Sequence, residues 1–163
     1  MNPGKIFEED IRNSVPDDVH YTRIRDPILP DGDGGYRFGG RCPFDMILYL
    51  KPNQYCLELK STIGTSISYD GENPMIKQHQ IEALIDASRY DGIIAGFLLN
   101  YRRTGGTYFV PISSFNALQS ESKRKSINEK DAMMYGIQIP SRLKNTRHAY
   151  DMDVLFGRGQ MKL

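Results

Sequence analysis

Cysteine is scarce in this sequence of 163 residues, and its two cysteines, Cys42 and Cys56, show no paired spacing. A disulfide framework needs more cysteines than this, so we expect free thiols in a reducing compartment. His20 and His79 could in principle join the cysteines in a zinc site, but the sequence has neither the CxxC nor the HxxxH pairs that such sites use. The scarcity therefore argues against the disulfide-rich and the zinc-dependent classes of small protein.

Long apolar runs and a strong charge of one sign are also missing. No stretch approaches the ~18 apolar residues of a membrane helix, and the opening MNPGKIFEED does not have the pattern of a signal peptide. The net charge is +1, so a nucleic-acid partner would need lysines and arginines that cluster locally. What the sequence does contain, 39% hydrophobic and 25% charged residues, is typical of one soluble domain with its own core.

The pattern of apolar residues and chain breakers predicts a single mixed α/β domain over residues 1–163, with a central sheet flanked by helices. Asn2 and Pro3 suit a helix start, and Phe7 and Ile11 give that helix an inner face. The later elements are predicted as a strand at 19–24, a glycine-rich loop at about 25–42, strands at 45–50 and 55–60 around a turn at 51–54, a helix at 73–90, strands at 93–101 and 107–110, and helices from Ser113 and Asn128 before a mixed tail.

Three ionisable side chains lie on the predicted hairpin PFDMILYLKPNQYCLELK, residues 43–60. Side chains alternate across a strand, so Glu58 and Lys60 share one face of the sheet. If the turn spans 51–54, Asp45 lies opposite Lys60 and diagonal to Glu58, within ~5–8 Å across the antiparallel pair. The sequence thus predicts two carboxylates and one ammonium on one side of one hairpin.

Two interpretations of this cluster remain open on the residues alone. Hard divalent cations such as Mg²⁺ are often held by one or two carboxylates, and a nearby lysine can orient or activate the attacking water in phosphodiester hydrolysis. Alternatively, the Glu58–Lys60 pair is a solvated ion pair on an outer sheet face.

Two polar residues on the flanking helices bear on this choice. Glu8 can project away from the stripe of Phe7 and Ile11, and Gln80, one turn before Leu84, can point towards the sheet. Their ordinary explanations are a carboxylate at a helix N-terminus and a polar residue at the core boundary. We interpret the neighbouring His79 as a histidine of the helix surface rather than a ligand.

Positive charge clusters in three places despite the small net charge. We expect the cluster at 123–125 to contact phosphates, and we interpret the pair at 102–103 as an exposed hairpin turn. The candidate DNA-binding residues are Arg23, Arg25, Arg37 and Arg41 around the glycine-rich loop, and Lys123, Arg124 and Lys125.

Several motifs, taken in order, resemble a known family. The run PFD…LELK resembles the core motif of the PD-(D/E)xK nuclease superfamily, which is restriction-endonuclease-like in fold. GKIFEEDI, STIGTSISY, HQIEAL, GIIAGFLLNY, TYFVPISSF and RKSI occur in the order and at the spacing of RecU-type Holliday-junction resolvases. The resemblance runs from Gly4 to about Pro140.

The resemblance implies a homodimeric endonuclease that resolves four-way DNA junctions in recombination and repair, with Mg²⁺ as cofactor and Mn²⁺ as the alternative. It implies a cytoplasmic location in a bacterial or phage-infected cell, and a recombinase is a conceivable partner. Asp45, Glu58 and the backbone carbonyl of Leu59 would hold the metal. Lys60 would orient or activate the attacking water. Glu8 and Gln80 would be further catalytic-site residues that support the site from two helices.

One segment departs from the family. Bacterial relatives carry a longer insertion before the metal hairpin, a projecting stalk, whereas here only the loop at about 25–42 takes its place. The rest of the single domain ends in a basic C-terminal part, about 121–163. The short stalk leaves junction selectivity open, so two alternatives stand: a repair or restriction-type nuclease that cuts duplex DNA, and a non-catalytic DNA-binding recombination modulator.

Overall fold

A computed structural model describes residues 2–158 of the chain. Its four α-helices in this range are α1 (Pro3–Ser14), α2 (Gln78–Ala87), α3 (Ile112–Glu121) and α4 (Glu129–Tyr135), and a 3-10 turn follows at Met152–Val154. Its strands are β1 (His20–Arg23), β2 (Ile28–Pro30), β3 (Tyr36–Phe38), β4 (Met46–Leu50), β5 (Asn53–Thr62), β6 (Ser66–Ser68), β7 (Ile93–Tyr101), β8 (Gly106–Pro111), β9 (Ser126–Asn128), β10 (Ile137–Gln138), β11 (Ser141–Lys144) and β12 (Arg147–Tyr150). None of the helices in this range has the length and apolar character needed to cross a membrane.

The central sheet has six strands in the order β1-β4-β5-β7-β8-β10. Its two middle strands, β5 and β7, run parallel, and the other neighbours are antiparallel. This arrangement confirms the predicted mixed α/β class with a central mixed sheet flanked by helices. Strands paired in parallel are usually buried on both faces, which explains the nearly continuous apolar run of β7.

The core has two parts, one on each face of the sheet. Because side chains alternate along a strand, Cys56 and Phe97 pack under α2 and α3, while Leu57 and Leu98 pack under α1. Both central strands are therefore closed in by helices. A polar side chain on either face must find partners there or line an opening.

Helix α1 begins where the sequence predicts. The Asn2 side chain accepts a hydrogen bond of 2.9 Å from the Gly4 N–H, and Pro3 occupies the first helical position. Phe7 and Ile11 are buried against the sheet, as expected. The helix is thus fixed over one face with its other side free to carry polar residues.

The hairpin of β4 and β5 turns more tightly than predicted. The structure pairs Leu50 with Asn53, so the turn has two residues, Lys51 and Pro52, and the predicted four-residue turn is wrong. Strand β5 starts early because its first residues already pair with β7; the Gln54 N–H donates to the Gly92 carbonyl at 2.8 Å. The register moves by two residues, an even number, so every side chain keeps its predicted face.

Helix α2 begins later than predicted. It starts at Gln78 rather than next to Pro74, because Ile76 is fully buried and its N–H donates to the Ser68 carbonyl at 2.9 Å. Tertiary contacts thus hold the predicted first turn in an extended path. The late start places Gln80 in the first turn of the helix.

The glycine-rich segment is more ordered than a loop. Strands β2 and β3 pair as a small hairpin, residues 28–38, which we call the arm. At its turn, the Asp31 carboxylate accepts hydrogen bonds from the N–H groups of Asp33 and Gly35, and Gly34 has a φ of +84° that favours glycine. Within the predicted loop, local side-chain bonding thus closes a turn between two short strands.

Candidate active site

The two carboxylates of the hairpin, Asp45 and Glu58, lie close to each other. Met46 pairs with Leu57, and the Asp45 N–H donates to the Leu57 carbonyl at 3.0 Å. Because Asp45 and Met46 both bond or pair with Leu57, the regular register stops at Met46, and the Asp45 side chain reaches the Leu59 N–H, which places it beside Glu58. The predicted pairing of Asp45 with Lys60 was therefore wrong, whereas Glu58 and Lys60 share one face as expected, with Lys60 Nζ 2.9 Å from Glu58 Oε1.

Asp45 is anchored by the backbone of the neighbouring strand. Its Oδ2 accepts a hydrogen bond of 2.7 Å from the Leu59 N–H. Burial raises the pKa of the Asp45 carboxyl, while the Leu59 N–H and the Lys60 charge act in the opposite direction. Because the N–H and C=O of a strand residue point to the same edge, the Leu59 carbonyl also lies on the side of Asp45.

Glu58 is an acid almost wholly removed from solvent, with 2% of its surface exposed. Its Oε1 accepts hydrogen bonds from Lys60 Nζ at 2.9 Å and from Gln80 Nε2 at 2.5 Å. Burial, followed by repulsion from Asp45, raises the pKa of Glu58 to about 7 despite the Lys60 ammonium. One lysine does not balance the negative charge that the two carboxylates carry when ionised.

Gln80 connects Glu58 to the start of α2. Its side-chain carbonyl accepts the Lys77 N–H at 2.9 Å, and its amide nitrogen donates to Glu58. The two contacts together define which end of the amide carries the nitrogen. Gln80 is thereby held as an oriented donor to the carboxylate.

Glu8 approaches the same region from α1. Its Oε2 accepts a hydrogen bond of 3.1 Å from Arg23 Nη2. Burial and the nearby Asp45 raise the pKa of the Glu8 carboxyl. Beside these groups lies an open cleft of about 620 Å³, which is lined by Glu8, Arg23, Ile24, Arg25, Asp26, Cys42 and Asp45.

The oxygen donors in this region fit a hard divalent cation. Residues 2–158 contain no group of three or more histidine, cysteine or acidic side chains arranged to hold a metal. The donor set is instead two neighbouring carboxylates, Asp45 and Glu58, next to the Leu59 carbonyl. Mg²⁺ is commonly held by one or two carboxylates, with water and substrate oxygens completing its shell, so this set suits it.

The candidate DNA-binding residues divide into separate groups. Arg23 and Arg25 border the cleft, and Arg37 projects from the exposed arm. Arg124, in the segment between α3 and β9, donates to the Asp131 carboxylate at 2.6 Å, so its charge already has a partner. Lys123 and Lys125 beside it are exposed.

Two residues that sequence reasoning did not select also lie here. Asp26 lines the cleft, and its carboxylate accepts the Cys42 N–H at 2.8 Å, which ties together the two chain segments at the base of the arm. His79 lies 3.3 Å from Arg41. Both contacts join residues far apart in the chain, and nothing local in the sequence indicates either one.

Comparison with known proteins supports the fold. No protein-family model matches the chain. It is 29% identical to the SPbeta prophage-derived uncharacterized protein YotM of Bacillus subtilis (strain 168), over 96% of this chain and 86% of the relative. Among solved structures, Hjc of Archaeoglobus fulgidus, a Holliday junction resolvase from an archaeal hyperthermophile, matches with a TM-score of 0.54, at 17% identity, over 83% of this chain and 95% of Hjc. At that identity the likeness shows a shared fold.

Proposed function

We propose that the protein is a metal-dependent endonuclease that resolves four-way DNA junctions, of the RecU type that its motifs resemble. The observation that carries the proposal is the placement of Asp45 beside Glu58, with Lys60 bonded to Glu58. The fold shared with an archaeal junction resolvase agrees with it. The matching prophage protein agrees with a phage-type version of the enzyme.

The proposed chemistry is hydrolysis of a phosphodiester. Asp45, Glu58 and the Leu59 carbonyl would hold Mg²⁺ or Mn²⁺, which when bound supplies Lewis acidity towards a phosphate oxygen and an acidified water. The Lys60 ammonium, 2.9 Å from Glu58, is placed to stabilise the negative charge that develops on the phosphate. Gln80 and the Leu59 N–H orient the two carboxylates, and Glu8 supports the site from α1.

The proposed substrate contacts come from the positive groups around the cleft. Arg23 and Arg25 lie at its edge, and the arm presents Arg37 together with the exposed Tyr36. We extend the proposal to Arg41, Lys123, Arg124 and Lys125 as phosphate contacts, and to a homodimer, whose two sites would cut the symmetric strands of a junction. A recombinase partner belongs to the same proposal.

A cleavage assay tests this function. Purified protein is incubated with a labelled four-way junction and a matched linear duplex, each with Mg²⁺, with Mn²⁺ and with EDTA. Paired symmetric nicks in the junction, lost with EDTA, are the expected result. Equal cutting of both substrates would move the function to a duplex nuclease, the alternative that the short arm favours. Binding without cutting would overturn the catalytic proposal in favour of a recombination modulator.

A further inference from the structure

Arg41 and His79 meet at the rim of the cleft. Arg41 Nη1 lies 3.3 Å from His79 Nδ1, although the residues are 38 positions apart. Arg41 directly precedes Cys42, which lines the cleft, and His79 directly precedes Gln80, which donates to Glu58. The pair thus lies next to the proposed metal ligands, on the side of α2.

The contact determines the state of the imidazole. A guanidinium has only donors, so His79 Nδ1 must accept, which requires the neutral ring with its proton on Nε2. Partial burial and the nearby positive charges of Arg41, Lys60 and Lys77 lower the pKa of His79, while Glu82 acts in the opposite direction. His79 Nε2 is therefore a hydrogen-bond donor directed away from Arg41.

The charge of Arg41 has no acidic partner within residues 2–158. Its one hydrogen bond there is to the neutral imidazole of His79, whereas Arg124 and Arg147 are each paired with a carboxylate. Four of the five guanidinium N–H groups remain available. An unpaired cation beside an oriented N–H donor is an arrangement suited to an anionic oxygen.

We propose that Arg41 and His79 together bind one backbone phosphate of the DNA, on the α2 side of the cleavage site. Arg41 supplies the charge and fixes the tautomer, and His79 Nε2 supplies a second donor to the same phosphate. The inference rests on the proposed function in that DNA is the ligand. It adds His79, and it assigns Arg41 to a defined site apart from Arg23 and Arg25.

The test measures binding of a labelled four-way junction in EDTA at pH 8. Fluorescence anisotropy gives the affinity at each of a series of salt concentrations. Arg41→Ala should lower the slope of log affinity against log salt by about 0.9, which corresponds to about eightfold weaker binding at about 0.1 M salt. His79→Ala should weaken binding about threefold with the slope unchanged, because the ring is neutral. His79→Gln, which keeps a donor, should recover part of the loss.

The double variant and a charge-matched control make the test decisive. If both residues hold one phosphate, Arg41→Ala with His79→Ala should bind no more weakly than Arg41→Ala alone. Arg89→Ala removes an equal charge just beyond the other end of α2, where Arg89 pairs with Asp86, and should leave the slope unchanged. Thermal unfolding confirms that each variant is folded.

Several results would overturn the proposal: an Arg41→Ala slope equal to that of Arg89→Ala, losses that multiply in the double variant, or no binding by the wild-type protein. Because binding is measured without metal, the outcome is separate from catalysis. A protein that never cuts but shows the Arg41 and His79 effects refutes the nuclease proposal and retains the phosphate site.

Discussion

Two buried acids on opposite faces of the sheet have very different surroundings. Asp10, on α1, accepts hydrogen bonds from Arg147 at 2.6 Å and from the His148 N–H at 3.1 Å, and it is 3% exposed. Glu58 is 2% exposed, and its one cation, Lys60, also lies near a second carboxylate, Asp45. Arg147 is likewise shared between Asp10 and Glu9, but Glu9 has a second cation, Arg12.

The difference separates a charge that joins two elements of the fold from one that we propose to be functional. The Asp10 cluster joins α1 to β12. The hydrogen bonds that Arg147 makes with Glu9 and Asp10 raise the pKa of its guanidinium. The Glu58 cluster gathers more negative charge than positive, and the pKa of Glu58 rises to about 7. Burial of a poorly compensated charge is costly, and it is typical of sites that bind a cation or exchange a proton.

The largest effect is expected from Asp45→Asn. The amide keeps the size of the side chain and an oxygen for the Leu59 N–H, but it removes the charge that would hold the metal. Cleavage should fall by about three orders of magnitude, while junction binding in EDTA stays close to that of the wild-type protein. Asp17→Asn, an exposed acid with the same change in charge, is the control. Cleavage by Asp45→Asn at the wild-type rate would refute the site.

A second prediction concerns the pH dependence of stability. Folding raises the pKa of Glu58 from 4.5 to about 7, so the native state binds its proton more tightly than the unfolded chain does. The free energy of unfolding should therefore fall as pH rises between these values, by on the order of 3 kcal/mol at most. Glu58→Gln should lack this part of the pH dependence in thermal unfolding without metal.

Metal should counteract the same loss of stability. Adding Mg²⁺ should raise the melting temperature of the wild-type protein more at pH 8 than at about pH 5, and should have little effect on Glu58→Gln. Parallel pH profiles for the wild-type protein and Glu58→Gln would show that Glu58 titrates like an exposed acid. The contrast with Asp10 would then be lost.

The structural acid should behave in the opposite way. Asp10→Asn should lower the melting temperature by roughly 5 °C, because Arg147 and the His148 N–H lose a charged acceptor. Its cleavage rate at a temperature where the protein is folded should change little. Arg89→Ala, which removes an exposed ion pair with Asp86, should shift melting by roughly 1 °C and provides the comparison. A larger loss of cleavage than of stability would place Asp10 in the site.

The smallest effect is expected among the surface cations. Lys125→Ala should reduce the salt dependence of junction binding by about one phosphate contact. Arg124→Ala should reduce it less, because Asp131 already balances that guanidinium. Equal slopes for the wild-type protein and Lys125→Ala would mean that the segment at 123–125 is an ordinary solvated surface.

The sequence was sufficient to predict which side chains share a face of the sheet, but not to predict the register between the strands. Glu58 and Lys60 were predicted on one face because alternation along a strand is local, and a shift of two residues leaves it intact. Which residues of β4 and β5 lie opposite each other depends on where β5 starts, and pairing with β7 decides that. This is a tertiary effect with no local pattern.

The same distinction explains the other differences. The start of α1 follows from Asn2 and Pro3, which act within the helix itself. The start of α2 depends on the burial of Ile76, and the contact of Arg41 with His79 joins segments 38 residues apart. Structure that depends on neighbouring residues can be predicted from a sequence, whereas contacts between distant segments can be identified only once the fold is known.

The two bonds of Gln80 limit how the sequence can change. Its carbonyl caps the Lys77 N–H, and its amide nitrogen donates to Glu58. Glutamate at this position would offer no donor to Glu58, and asparagine would be shorter by one methylene group. A substitution at 80 would therefore disturb both the helix start and the hydrogen bond to Glu58, so we expect residues 80 and 58 to change together.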